Sequence, residues 1–175
     1  MIRIIGTFGL MLSFAFAGGC SQQQSAQANS ADPKIDGSQY LLADEPEGAV
    51  GVIIAREDAK DGDDIVLVAR VGGRKNPWIE GRAAFTVIDA AMSLVADGEE
   101  SGEGEVCMDD CCASLRAECT TLVKFLDENG RPLQLDAREL LRIKENDMVV
   151  VRGNVQRNVD DGTFAIVGNG LYVRE

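Results

Sequence analysis

Apolar and polar positions along the chain divide it into segments of different period. Ile4 to Phe16 is an uncharged, mostly apolar run of 13 residues behind Met1-Ile2-Arg3. It is too short to span a bilayer, and it has the length of a signal-peptide core. Ser21 to Ser30 is polar and of low complexity, so it cannot build a core. Asp44-Glu45-Pro46-Glu47 then reads as a helix start, with Val50, Ile53 and Ile54 sharing a face and Asp61-Gly62 ending the run. This predicts a helix over 46–60. Beyond Gly62 the period shortens to two. Strands are predicted over 65–71, 82–89, 120–127, 148–157 and 163–173. Asp136 N-caps a short helix over 136–141, and Asp160-Asp161-Gly162 joins the last two strands as a hairpin turn. Gly153 and Gly168, inside strands, predict bulges. The stretch 90–118 is a long excursion without a clear period.

Composition removes several functions. The chain has 175 residues, 17 Lys plus Arg, 29 Asp plus Glu and a net charge of −12. So acidic a chain argues against bulk binding of nucleic acid. It has no histidine, which excludes a Ser-His-Asp triad, a Cys-His pair and any histidine-ligated metal. No phosphate-binding glycine loop and no nucleophile elbow occur. Nothing singles out a catalytic pair, so no enzyme activity and no cofactor are expected.

Ala17-Gly18-Gly19-Cys20 resembles the lipobox of bacterial lipoproteins. The resemblance implies that residues 1–19 are a signal peptide and that Cys20 carries the lipid. Residues 20–43 then form a disordered tether, and residues 44–175 the folded domain. An alternative cleavage after Ala15-Phe16-Ala17 would release a soluble exported protein. The expected location is the cell envelope, on the periplasmic face or the outer membrane, with the membrane as a partner through the N-terminal lipid.

The order strand, strand, strand, helix, strand, strand resembles the OB-fold, a five-stranded Greek-key barrel. The expected class is therefore mainly β, with one preceding helix and a short helix between strands 3 and 4. Residues 148–155 and 170–173 are similar to the closing half of exported bacterial OB-fold proteins. Residues 71–73 and 81–85 resemble an uncharacterised lipoprotein family of planctomycete-type bacteria, which brings no activity with it.

Two groups of residues could carry chemistry. Cys107, Cys111, Cys112 and Cys119 are spaced C-x3-C-C-x6-C. In an exported protein these read first as two disulfides, 107–111 with 112–119 or 107–112 with 111–119. A thiolate metal site or a redox pair is the alternative, although the usual C-x2-C knuckles are absent. The acids Asp97, Glu99, Glu100, Glu103, Glu105, Asp109 and Asp110 surround them and read as a solvated loop or as oxygen ligands for calcium. The second group is Arg70, Arg74, Lys75 and Arg82 around Trp78. It could hold a small anionic ligand, or Trp78 could plug one end of the barrel. The expected function is a lipid-anchored binding or scaffold domain with an unknown envelope partner. A metal-binding or redox protein using the cysteines is the alternative.

Overall fold

The computed structural model describes residues 35–92 and 110–174. Five strands form one mixed sheet: β1 (Asp64–Val71), β2 (Ala84–Asp89), β3 (Thr120–Lys124), β4 (Met148–Asn158) and β5 (Thr163–Arg174). The order is β1-β2-β3-β5-β4, and β4 pairs back onto β1, so every strand has two neighbours. Closure leaves no free ladder of N–H and C=O groups at an edge. The β3–β5 pair is parallel and the other four are antiparallel.

Alternation explains the core. Leu67, Ala69 and Val71 of β1, Phe85 and Val87 of β2, Val123 of β3, Val149 and Val151 of β4, and Ile166 and Leu171 of β5 are all buried in one cluster. Both faces of β2 are buried. Its second face meets a smaller cluster, where Ile88 packs with Cys119 and Met92.

Two glycines shape the β4–β5 pair. The register shifts between Arg152 and Gly153, and Gly153 stands opposite Gly168. A Cβ on Gly153 would fall 2.2 Å from the Val167 carbonyl oxygen, and one on Gly168 would fall 2.7 Å from Phe125. The absent side chains let the strands bend over the Phe125 ring, as the sequence predicts.

Among the described residues, three α-helices accompany the sheet. The first, α1, is Val52–Asp58, shorter than the predicted helix over 46–60. Val50 instead pairs with Leu67 as an isolated bridge, donating its N–H to Val66 O and accepting from Val68 N. Those bonds hold the chain extended up to Gly51, so the helix can start only there. Its inward residues are Val52 and Ala55, while the expected Ile53 and Ile54 are exposed. The start of α1 is capped from a distance: Asp89 accepts from Ile53 N at 2.9 Å and from Ala91 N at 2.8 Å. The second helix, α2 (Ala113–Glu118), lies in the excursion where no helix was predicted. The third, α3 (Ala137–Leu141), has Asp136 as N-cap, as expected, with Oδ1 accepting from Arg138 N.

Residues 37–42, expected within the tether, belong to the fold. A 3-10 turn spans Gly37–Tyr40, Leu42 donates its N–H to Leu171 O, and the Tyr40 ring meets Phe125 edge-on at 5.2 Å. The expected signal peptide, Cys20 and the polar run behind it lie outside the described residues. No described helix is long and apolar enough to cross a membrane.

Candidate anion-binding groove

The predicted basic cluster separates in space. Arg70 donates from Nη1 to Asn146 O at 3.1 Å. Lys75 and Arg82 are exposed. Trp78 packs half-buried against the main core, 6.0 Å from the Phe85 ring, with the Arg138 guanidinium 5.4 Å above it. Its indole therefore closes over core side chains on one side and is occupied by a cation on the other.

Arg74 alone of the five lines a groove of about 610 Å³, which Arg56 of α1 and Arg116 of α2 also line. The groove runs over β2 and β3. The β1–β2 loop contributes Arg74 and Ile79, and the β4–β5 turn contributes Gly162 and Thr163. Gly73 draws the first of these loops in. It sits at φ 83°, and a Cβ there would fall 2.5 Å from Thr120 Oγ1 on β3. Only glycine tolerates both the left-handed backbone and that approach.

The floor is held by packing and local bonds. Arg56 lies over the Phe164 ring at 5.2 Å and donates to Thr120 O at 3.2 Å. Arg157 covers the same ring at 5.1 Å and donates to the Arg56 carbonyl. Three of the threonine hydroxyls beside the groove donate to backbone carbonyls: Thr86 to Gly72, Thr120 to Arg116 and Thr121 to Phe164.

No described carboxylate lines this groove. The described ion pairs lie elsewhere, joining Arg138 to Asp136 and Glu80, and Arg174 to Glu45. Three arginines line this groove with no described carboxylate among its walls, on a chain of net charge −12.

The cysteines divide differently. Cys107 lies outside the described residues, as do Asp97, Glu99, Glu100, Glu103, Glu105 and Asp109. Cys111 belongs to a 3-10 turn, Asp110–Cys112, that leads into α2. Cys112 is half-buried at the N-cap of α2, and Cys119 is its C-cap. Cys119 is a buried free thiol. Burial, and next the charge of Asp89, push its pKa above the ordinary thiol value. Both expected disulfide pairings would consume this sulfur. Among the described residues, no three Cys, Asp or Glu side chains are placed to hold a metal ion.

Two residues central to the site escaped the sequence reading. Arg56 and Arg116 are 60 positions apart and line one groove only because α1 borders β2 and α2 borders β3. Helix-forming Ala113-Ser114-Leu115-Arg116-Ala117-Glu118 was a usable local signal for α2. No local signal joins it to Arg56. No protein family, no curated protein and no solved structure matches this chain.

Proposed function

We propose that this chain is an exported, lipid-anchored binding domain built as an OB-fold-like barrel. On this reading it holds an anionic ligand of oligosaccharide size against Arg56, Arg74 and Arg116. The observation that carries the reading is that three arginines line one groove with no described carboxylate among its walls. Two further features support it. The strand order and the helix between β3 and β4 resemble those of an OB-fold, whose ligands lie across strands 2 and 3 between the first and last inter-strand loops. This groove occupies the same place. The overall negative charge argues against long nucleic acids and favours a shorter acidic ligand. Lipidation of Cys20 would hold the domain at a membrane surface, where the polar run behind it gives reach.

Binding of a heparin hexasaccharide and of tripolyphosphate, measured by calorimetry at low and raised salt, tests the groove. Arg74→Ala is expected to weaken binding about tenfold, the loss of one charge-assisted contact, and to reduce its salt dependence. Equal affinity in wild type and Arg74→Ala, or no binding of either probe, overturns the groove reading. The anchor is tested separately by the mass of the mature N-terminus, expected to begin at a diacylated Cys20.

A further inference from the structure

Cys112 and Cys119 mark the two ends of α2. The seven residue steps from Cys112 to Cys119, at a helical rise of 1.5 Å each, place their Cα atoms about 10 Å apart. A disulfide holds its Cα atoms roughly 4.4–6.8 Å apart. Cys111, one residue further from Cys119 in the preceding 3-10 turn, faces the same obstacle. The Cys119 end of α2 is fixed: its N–H donates to Leu115 O, its carbonyl accepts from Asp89 N, and its side chain packs with Ile88 and Met92. Closing such a bond must therefore deform the helix.

We propose that α2 and a Cys112–Cys119 disulfide are mutually exclusive, and that the oxidation state of this pair governs the groove. With both sulfurs as thiols, α2 stands and presents Ala113, Arg116 and Ala117 to the groove. Joining the sulfurs unwinds α2 and withdraws Arg116. The consequence for binding rests on the proposed groove; the exclusion of helix and bond does not.

The reaction is a thiol–disulfide exchange. The two thiols give up two protons and two electrons, and one S–S bond forms. An external disulfide, such as oxidised glutathione or an oxidised dithiol of the envelope, takes up both and becomes two thiols. Attack requires a thiolate. Cys119 is 1 % exposed, and its thiol holds its proton more tightly than usual. The folded state is thus slow to oxidise, and the bond closes before folding or after α2 opens.

The full chain carrying Cys20→Ser, Cys107→Ser and Cys111→Ser leaves Cys112 and Cys119 as its thiols. One sample is treated with oxidised glutathione while folded; another is unfolded, oxidised and refolded. The folded sample is expected to keep both thiols. The refolded one is expected to be lighter by two hydrogens, with backbone carbon shifts of residues 113–118 at coil values and those of β1 and β4 unchanged. Its affinity for heparin hexasaccharide should fall about tenfold, the loss of one charge-assisted contact, and recover on reduction. Adding Cys112→Ser, which leaves the buried Cys119 in place, should abolish the response. Helical shifts at 113–118 in the disulfide form overturn the exclusion. Lost helical shifts with unchanged hexasaccharide affinity overturn the control of binding and locate the failure in the groove reading.

Discussion

Arg138 stacks its guanidinium 5.4 Å from the centre of the Trp78 ring while pairing with Asp136 through Nη2 at 2.7 Å. The cap of α3 and the lone tryptophan are therefore one unit. Asp136 takes the backbone N–H of Arg138 and its guanidinium together, and the same guanidinium covers the indole. Replacing Arg138 by Ala should shift Trp78 emission, because the indole loses its cation and gains water. Arg74→Ala should leave the emission unchanged. Steady-state fluorescence of the two variants checks this, and an equal shift in both would contradict it.

The same unit sets a pH response. The Arg138 side chain, then its backbone N–H, holds the Asp136 carboxyl below the ordinary value of 3.8. Asp127 is lowered chiefly by the backbone N–H of Arg131. A carboxylate with a lowered folded pKa stabilises the fold fully above its unfolded value. That contribution is lost as the pH falls from about 3.8 towards the folded value. Thermal midpoints should be flat from neutrality down to mildly acidic pH and then fall steeply. Asp136→Ala should cost about 1 kcal/mol at neutral pH, as N-caps do, and flatten part of the acid slope. An unchanged slope in that variant would remove Asp136 from the account.

Gly153 and Gly168 should tolerate alanine unequally. At Gly168 the obstacle is the Phe125 ring, which can shift, so Gly168→Ala should cost about 1–3 kcal/mol. At Gly153 the obstacle is the Val167 backbone carbonyl within the paired strands. Gly153→Ala should therefore be the more damaging. Denaturant unfolding of the two variants orders them, and a milder Gly153→Ala would mean that the bulge relaxes easily.

Cys119 should be the slowest thiol to alkylate in the native protein and should react at once on unfolding. Its raised pKa has a thermodynamic side. The unfolded chain releases the proton near 9.0 while the folded one retains it, so stability falls as the pH rises above that value. Time-resolved alkylation read by peptide mass checks the first expectation, and unfolding midpoints in alkaline buffer check the second. Cys119→Ala should remove the alkaline loss.

Local signals in the sequence proved reliable where pairing partners were near. The hairpin of β4 and β5 follows from alternation and from Asp160-Asp161-Gly162, and α3 follows from its Asp cap. The reading of 46–60 as one helix failed because Val50 bonds to β1, a contact no helical periodicity encodes. Arg70, Arg74, Lys75, Trp78 and Arg82 looked like one cluster because they are neighbours in sequence. Strand alternation and the turn at Gly73 send them apart. The groove is legible only after closure, since its arginines come from three separate elements.

Closure also sets a timetable. Asp64 pairs with Asn154, so β1 waits for a strand made 90 residues later. The parallel partner of β3 is β5, the last described strand. Such distant pairings make folding slow, because chain entropy is spent before contacts repay it. A chain emerging from its N-terminus has no native ring until β5 is free. Until then β1 and β2 leave their valines and isoleucines without partners in the closed sheet, surface of the kind that makes incompletely folded chains prone to aggregate.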